Sequence, residues 1–280
     1  MNVPSIIIVG SVNLDIVASV TKLPQPGETV TGATLSRYPG GKGANQALAA
    51  KRLGVDVTLL ANVGDDAEAE DALSLLRDGG VDLSRVEVSR KSGTGIALIA
   101  VSKAGENHIV VAPGANAELD VDDLPQADAM ICQLEVPEAT VARAAADFPG
   151  LFCVNLAPAR HVDVSVLQRA DLVVVNESEA AWYGDSLSAC HGLVAKTHGA
   201  AGADLLKDGE VIASAKPPEV EVVDTVAAGD AFTAALAVAL VEGMPAQEAL
   251  QFACVAGALA CTKPGAQPSL PTREEVEALL

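Results

Sequence analysis

Short apolar runs alternate with alanine- and leucine-rich helical patterns along most of the chain. The predicted strands are residues 6–9, 57–61, 130–134, 151–155, 172–175 and 193–196. The predicted helices are residues 44–53, 67–77, 138–146, 232–242, 246–262 and 273–280. Strands that are apolar along their whole length are buried on both faces. The alternation therefore predicts an α/β fold with a central, mostly parallel sheet that helices flank on both sides.

Two regions break this alternation, because their strand-like segments follow one another without a helix. Residues 16–38 have the pattern of alternating strands on either side of the turn residues Pro24, Pro26 and Gly27. Residues 94–111 are a second strand-rich stretch with a turn in its middle. We expect these regions to form a small antiparallel sheet, from residues 13–38 and 94–112, that acts as a lid or a pairing surface. The chain has 280 residues and shows no repeat or long linker, so a single domain over residues 1–280 is expected.

The charge balance restricts the classes of partner. The chain has 18 basic and 37 acidic residues, a net charge of −19. Such a field repels nucleic acid and anionic membranes, so we expect neither as a partner. An anionic ligand would need a local cationic or backbone-lined site, and a metal ion would complement it.

Cysteine usage and the N-terminal residues indicate a cytoplasmic protein. The cysteines are odd in number, widely spaced and mostly within apolar runs, which predicts buried thiols in a reducing compartment (Cys132, Cys153, Cys190, Cys254 and Cys261). Residues 1–5 lack a basic stretch, and the apolar run 6–9 is too short for a signal sequence or a membrane span.

Residues 224–230 place small side chains and an acid where a loop becomes a helix. The first turn of a helix has unpaired N–H groups and attracts anions, and Ala227, Ala228 and Gly229 let an anion approach the backbone closely. Asp230 would then be placed to take a proton from a nucleophile that attacks the anion. The same residues are also typical of an ordinary helix start.

Polar residues near two predicted strand ends and in a glycine-rich turn are candidates for binding a polyol. Asn13 and Asp15 lie on one side of an extended segment, where an amide and a carboxylate can clamp vicinal hydroxyls. Three glycines surround Lys42 before a helix that contains Asn45, without the spacing of a Walker A loop. Glu135 ends a strand at the edge where ligands bind in α/β sheets. Turn chemistry, a solvated lysine and a solvated loop acid are the alternatives.

Two further segments are candidates for cation binding. Asn176 and Glu179 follow a strand one helical turn apart, which suits a hydrated Mg²⁺ near phosphates or, alternatively, an ordinary helix cap. The turn-rich loop 262–269 has free carbonyls that, together with residues 224–226, suit a monovalent cation. The residues alone do not predict that site.

Together these segments resemble the ribokinase-like (PfkB) family of carbohydrate and nucleoside kinases, in the family's order and over nearly the whole chain. The matching motifs are residues 10–15, 26–30, 40–47, 133–135, 155–160, 176–180, 224–230 and 265–269. The resemblance implies a three-layer α/β fold with a small β-sheet lid. It also implies ATP-dependent transfer of the γ-phosphoryl group to the primary hydroxyl of a pentose, with D-ribose giving ribose 5-phosphate.

The resemblance further implies a role for each site residue. Asp230 would be the base, and the amides of Ala227, Ala228 and Gly229 would form the anion hole. The sugar would be held by Asn13, Asp15, Gly41, Lys42, Asn45 and Glu135, together with Asp230. The nucleotide side would comprise Asn176, Glu179, Thr197, Gly199, Gly229 and Cys254. Glu179 would hold Mg²⁺ through water. An activating K⁺ would be surrounded, mostly by backbone oxygens, by Asp224, Val226, Ala260, Lys263, Gly265 and Ser269.

The lid of this family also pairs protomers, so the resemblance implies a homodimer. One departure from the family pattern is a shortened connection, of which residues 185–192 remain. The missing outer helix would leave one sheet face less covered near the nucleotide, with consequences for nucleotide affinity and stability. A nucleoside or other sugar kinase of the same family, and a sugar-binding protein that has lost catalysis, are the alternative functions.

Overall fold

The computed structural model describes residues 3–280, so residues 1 and 2 of the predicted domain lie outside the described residues. Its strands are β1 (Ser5–Val9), β2 (Asn13–Val20), β3 (Thr34–Gly40), β4 (Asp56–Gly64), β5 (Asp82–Ser89), β6 (Gly95–Ser102), β7 (Asn107–Ala112), β8 (Ala129–Cys132), β9 (Leu151–Asn155), β10 (Leu172–Asn176), β11 (Leu193–Thr197), β12 (Ala203–Lys207) and β13 (Glu210–Ala215). Its α-helices are α1 (Lys42–Arg52), α2 (Ala67–Asp78), α3 (Glu138–Asp147), α4 (Val164–Arg169), α5 (Glu177–Tyr183), α6 (Ala228–Val241), α7 (Ala246–Ala260), α8 (Ala266–Ser269) and α9 (Arg273–Glu277).

The main sheet has nine strands in the order β13-β12-β11-β10-β9-β8-β1-β4-β5. The seven strands from β11 across to β5 in this order all run parallel to one another. At the other end of the sheet, β12 pairs antiparallel with both β11 and β13. This confirms the predicted mostly parallel α/β sheet. Strands β5, β12 and β13 were not predicted. They lie at or beside the sheet edges, where part of each strand is exposed and no continuous apolar run marks it.

Alternate residues of the central strands point to opposite sides of the main sheet and build two separate cores. Ile6 and Ile8 pack with α1, α6 and α7, whereas Ile7 and Val9 pack on the other side with α3 and α4. Helices therefore cover both faces, which makes the three layers of the fold. Because the chain has few aromatic residues, alanine, valine, leucine and isoleucine fill most of both cores.

A second, four-stranded sheet has the order β3-β2-β6-β7. The prediction of an antiparallel sheet is wrong for one pair, because β2 and β6 run parallel along their length. Strand β2 follows β1, and β6 follows β5. Since β1 and β5 both run parallel to β4, the chain leaves the main sheet in the same direction at both places.

Several helices differ from their predicted bounds. Helix α6 begins at Ala228 rather than at residue 232, and α1 begins at Lys42 rather than at residue 44. Their first turns consist mainly of small or polar residues, which extend a helix without adding to its apolar pattern. At the other end, α7 stops at Ala260 instead of residue 262, and α9 at Glu277 instead of residue 280.

A 3₁₀-helix, Gly184–Ala189, forms the first part of the shortened connection 185–192. It lines a cleft of about 670 Å³ together with the exposed side chain of Trp182. All five cysteines are free thiols, and four are buried while Cys261 is half-buried. Within residues 3–280, no helix has both the length and the apolar character needed to cross a membrane.

Candidate active site

The candidate residues lie near the carboxyl edge of the parallel strands. Ser11 and Asn13 follow β1, Glu135 follows β8, and Asn176 and Thr197 are the last residues of β10 and β11. Since these strands are parallel, their ends share one edge of the main sheet, which is where ligands bind in open α/β sheets. Glu135 lies three residues beyond the end of its strand, so the prediction that it ends the strand itself is wrong.

Asp230 occupies the first turn of α6 and is 6% exposed. Its Oδ2 accepts a hydrogen bond from Asn45 Nδ2 at 2.9 Å, and its Oδ1 accepts one from Gln46 Nε2 at 2.8 Å. Burial raises the pKa of Asp230 above its ordinary value, although the charge of Lys42 and the two amide donors oppose the shift. The result is a buried carboxylate of raised basicity whose orientation is fixed by two amides.

Lys42 is the positive centre of a cluster of carboxylates. Burial lowers the pKa of its ammonium group, but the nearby charges of Asp230, Glu135, Glu179 and Asp15 raise it by more. The net shift is upward, so Lys42 stays charged at neutral pH. The prediction of a ligand-directed lysine in this turn stays a prediction, but a freely solvated lysine does not fit these surroundings.

Asp15 and Glu135 form the acidic side of the cluster. Burial, followed by the charges of Glu135 and Asp230, raises the pKa of Asp15 from 3.8 to about 7, against the opposing charge of Lys42. Glu135 Oε2 accepts hydrogen bonds from Ser11 Oγ at 2.5 Å and from the backbone N–H of Lys42 at 3.0 Å. A Cβ on Gly40 would lie 2.4 Å from the Asp15 carboxylate, so any side chain at residue 40 would displace that carboxylate.

Asn13 is buried and held by a residue that the sequence did not single out. Asn116 Nδ2 donates to Asn13 Oδ1 at 2.8 Å, and Asn116 also exchanges hydrogen bonds with both backbone groups of Val12. Gly41, at a φ of 89°, lies against this segment, where a Cβ would be 2.7 Å from the N atom of Asn13. The conformation of Asn13 is therefore fixed by the side chain of Asn116 and by the close backbone of Gly41.

The predicted anion hole lies at the start of α6. Ala227 caps the helix at a φ of 64°, a left-handed conformation that is unusual for a residue with a Cβ. The N–H of Ala228 makes a long 3.4 Å hydrogen bond to the carbonyl of Thr225. A Cβ built on Gly229 would meet nothing within 4 Å. The space beside this turn is open to a ligand.

Asn176 and Glu179 form a reciprocal capping box at the start of α5. Asn176 Oδ1 accepts from the N–H of Glu179 at 2.8 Å, and Glu179 Oε2 accepts from the N–H of Asn176 at 2.8 Å. The contacts of Asn176 and Glu179 with each other are thus those of a helix cap, which was the alternative to a Mg²⁺ site. Burial raises the pKa of Glu179, and the nearby charge of Asp230 adds to the shift, while the hydrogen bond from Asn176 and the charge of Lys42 oppose it. The cap therefore lies beside the cluster.

The residues predicted on the nucleotide side are distributed over the end of β11, the turn that follows it, and helix α7. Thr197 ends β11, and Gly199 follows in a 3₁₀-turn at a φ of 55°. Between them His198 bridges two carboxylates, Glu177 at 3.3 Å and Asp204 at 3.1 Å. Cys254 is buried on α7, with its Sγ 3.7 Å from the carbonyl of Ala215 in β13. These contacts tie the turn to α5 and the antiparallel edge.

The structure joins the two loops of the predicted cation site through Asp224. Its Oδ1 accepts from the N–H of Val226 and its Oδ2 from the N–H of Gly265, both at 3.0 Å. The side chain of Lys263 instead pairs with Glu275, and the Oγ of the buried Ser269 donates to the carbonyl of Ala266 at 2.8 Å. Ala260 is buried at the end of α7. Over residues 3–280, no three His, Cys, Asp or Glu side chains come together in a way that could hold a metal.

The sequence reasoning assigned no role to five polar residues that support the site. They are Ser11, Gln46, Asn116, Gln133 and Asn155, all of them buried. Each lies in or beside a run of apolar or small residues, where a polar side chain has to find a hydrogen-bonding partner. That signal marks them in the sequence as buried polar residues, but it does not give their partners or their roles.

Comparisons with known proteins agree with this geometry. A family model described as pfkB family carbohydrate kinase matches residues 3–273. The ribokinase of Bacillus subtilis is 37% identical, with 99% of each chain covered, and that of Haemophilus influenzae is 36% identical, with 96% of this chain and 95% of the relative covered. Two solved structures each match with a TM-score of 0.90 over 99% of both chains. They are the ribokinase of Thermotoga maritima at 33% identity and that of Arabidopsis thaliana, complexed with ribose and ATP, at 30%.

Proposed function

The chain belongs to the pfkB family of carbohydrate kinases, and we propose that it phosphorylates the primary hydroxyl of D-ribose with ATP to give ribose 5-phosphate. Membership makes it a phosphotransferase that acts on a sugar hydroxyl. The observation that carries the choice of ribose is similarity to ribokinases over nearly full length, with the Arabidopsis thaliana protein solved with ribose and ATP. The cluster of Asn13, Asp15 and Lys42 supplies the donors and acceptors that a polyol needs.

In the proposed reaction Asp230 is the base. It takes the proton of the primary hydroxyl while that oxygen forms a bond to the γ-phosphorus, and the bond from the γ-phosphorus to the bridging oxygen of ADP breaks. Burial and the raised pKa make Asp230 a better base than an exposed aspartate. The amides of Ala227, Ala228 and Gly229 would face the charge on the transferred group, where the space beside Gly229 is open.

The sugar would lie between the two sheets. Asn13, Asp15, Gly41, Lys42, Asn45 and Glu135 would hold it. Asp15 and Glu135 accept hydrogen bonds from hydroxyl groups when ionised, and Lys42 donates. The four-stranded sheet contributes Asn13 and Asp15 from β2, so it would act as a lid whose base forms part of the pocket.

Thr197, Gly199 and Cys254 would line the nucleotide side, with Asn176 near the phosphates. Glu179 would hold Mg²⁺ through water. Its buried carboxylate lies near Asp230 and Lys42, whose charges both affect its pKa. Mg²⁺ would offset negative charge on the phosphates. The capping box fixes Glu179 before any ligand binds.

An activating K⁺ would occupy the loops that Asp224 joins. Two hydrogen bonds from backbone N–H groups already hold its carboxylate between residues 226 and 265. Backbone oxygens near Val226, Ala260, Lys263, Gly265 and Ser269 would complete an oxygen-rich site, which suits a hard monovalent cation. The first of these loops, residues 224–226, directly precedes the anion-hole turn, so a cation there would act on that turn.

We further propose a cytoplasmic homodimer that pairs through the four-stranded sheet. This sheet exposes large apolar side chains, which are Leu35, Leu98, Ile109, Val110 and Val111. The strand registers place Leu35, Leu98 and Val110 on one face of this sheet and Ile109 and Val111 on the other. The three exposed side chains that share a face favour burial against a second copy.

A substrate panel tests the proposed function. Purified protein is given labelled ATP together with D-ribose, deoxyribose, fructose or adenosine, in Mg²⁺ and K⁺ salts. We expect the fastest turnover on D-ribose, with label on the primary hydroxyl. Faster turnover on fructose or adenosine would reject the ribose assignment, and calorimetry that shows ribose binding without ATP binding would favour a sugar-binding protein.

A further inference from the structure

We propose that Gln133 and Gln46 form a directional amide relay that positions Asp230 and keeps it ionised. Gln46 would be a positioning residue for Asp230, and Gln133 would be a positioning residue that acts through Gln46. The catalytic consequence of the relay rests on the proposed function, in which Asp230 is the base.

The relay is a continuous chain of buried contacts. Gln133 Nε2 donates to Gln46 Oε1 at 2.6 Å, and Gln46 Nε2 donates to Asp230 Oδ1 at 2.8 Å. Gln46 Nε2 also donates to Asn155 Oδ1 at 3.3 Å. Both glutamines are fully buried. The relay therefore connects α1, the segment after β8, the end of β9 and the first turn of α6 without access to water.

The charge of Asp230 sets the direction of every donor in the relay. An ionised carboxylate only accepts hydrogen bonds, so the nitrogen end of the Gln46 amide has to face Asp230. The oxygen end of Gln46 then faces Gln133, which has to present its own nitrogen. In this arrangement all of the hydrogen-bonding groups of Gln46 are used, with two N–H groups donating and the oxygen accepting.

Gln133 is placed for its nitrogen and not for its oxygen. A Cβ on Gly10 would lie 2.1 Å from Gln133 Oε1, so glycine at residue 10 makes the room that this amide occupies. Among the described residues Gln133 Oε1 has no hydrogen-bond partner, although it is buried. A glutamine retained only for stability would be expected to use both ends of its amide. Its one hydrogen bond leads to Gln46 and from there to Asp230.

Other groups also act on Asp230, and the relay has to be separated from them. Asn45 donates to the second carboxylate oxygen. The charged groups around it are Lys42, which attracts its negative charge, and Glu135, Asp15 and Glu179, which repel it. Each oxygen of Asp230 keeps a second lone pair, so two amide donors leave room for a proton from the substrate.

A double-mutant cycle tests the relay. Gln46→Met removes the donor to Asp230 at similar volume, and we expect kcat to fall by about 10- to 100-fold, because hydrogen bonds to charged groups are strong. Gln133→Met removes only the contact with Gln46, and we expect a loss of about 3- to 10-fold. In the double variant, Gln133→Met should cost nothing further, because it acts through Gln46. Losses that multiply would overturn the relay.

The pH dependence separates positioning from a general loss of stability. Losing a donor to the ionised form raises the pKa of Asp230, so the acid limb of kcat should move to higher pH in both single variants while KM for ribose changes little. Gln247→Met is the matched control. It removes the same kind of amide donor, one that bonds to the carbonyl of Ser214 on the exposed surface. It should leave the acid limb in place.

A measurement without turnover distinguishes failure of the relay from failure of the proposed function. The Asp230 carboxyl is titrated by NMR in sugar-free protein labelled with ¹³C-aspartate. A pKa that rises in both single variants supports the relay even where Asp230→Asn retains turnover, which would reject Asp230 as the base. An unchanged pKa in a folded Gln46→Met protein overturns the relay whatever the activity.

Discussion

Asn116 donates its side-chain amide to Oδ1 of Asn13 at 2.8 Å, although 103 residues separate the two. The oxygen of the Asn13 amide is therefore engaged, and its Nδ2 is the end left for a ligand. The contact decides that Asn13 enters the proposed sugar pocket as a donor beside the acceptor Asp15.

Replacing Asn116 should weaken sugar binding more than it slows the reaction. In Asn116→Leu the amide of Asn13 is free to turn, and we expect KM for ribose to rise by about 10- to 100-fold, with a much smaller change in kcat. Steady-state kinetics measure both. A lower melting temperature with an unchanged KM would mean that Asn116 acts only on stability.

Asp230→Asn removes the proposed base and leaves its shape. We expect kcat to fall by several orders of magnitude, since a general base contributes roughly 10²- to 10⁴-fold and the anion hole stays in place. Ribose binding, followed by calorimetry, should largely survive because Asn45 still has an oxygen to bond. Near wild-type turnover would show that another group takes the proton.

Asp15 should destabilise the sugar-free protein at neutral pH. Its pKa rises from 3.8 in the unfolded chain to about 7 in the folded protein. Between these values the folded state holds a proton that the unfolded state has released, so the free energy of unfolding falls as pH rises towards 7. We expect Asp15→Asn to gain stability over wild type by up to about 4 kcal/mol above pH 7, and by less at pH 5. Urea unfolding at pH 5 and at a pH above 7 measures the gain. An equal gain at the two pH values would show that it does not come from the raised pKa of Asp15.

The fold was largely predictable because buried parallel strands and amphipathic helices leave distinct periodic patterns. Ile6 to Val9, with neighbours on both sides and helices on both faces, had to be uniformly apolar. Strand β5 has no such requirement at its exposed edge, and its mixed sequence gave no signal. The parallel pairing of β2 and β6 depends on where the chain leaves the main sheet, after β1 and again after β5. Local sequence does not encode those positions.

The site was predictable in part, for a related reason. Asp230 and Lys42 are charged residues beside glycines, and Asp15 lies two residues after Asn13 behind a buried strand, so their chemistry is visible in the sequence. Gln46 and Gln133 act only through contacts with residues 87 to 184 positions away. No local pattern states those partners, so their roles needed the three-dimensional arrangement.

Ala227 carries backbone strain at the proposed anion hole. A residue with a Cβ at a φ of 64° costs roughly 1–2 kcal/mol, which glycine avoids. We expect Ala227→Gly to leave the free energy of unfolding unchanged or to raise it, because the strain released offsets the added freedom of the unfolded chain. The matched control is Ala228→Gly, in the first helical position with ordinary dihedrals, which should lower stability by up to about 1 kcal/mol. Thermal unfolding compares them, and equal losses would argue against strain at Ala227.

Asp224 should couple a monovalent cation to turnover. Its carboxylate joins the loops at Val226 and Gly265, and it lies three residues before the anion-hole turn. Wild type should turn over faster in K⁺ than in Na⁺ salts at equal ionic strength, since the proposed carbonyl site fits the larger ion better. In Asp224→Ala both loops lose their common anchor, so the rates in the two salts should converge at a lower value. Lys51→Ala is the control, because this lysine also pairs with a carboxylate, that of Asp56, but lies in neither loop, so the preference for K⁺ should stay intact. Equal rates of the wild type in K⁺ and Na⁺ would remove the cation site from the mechanism and leave Asp224 as a purely structural anchor.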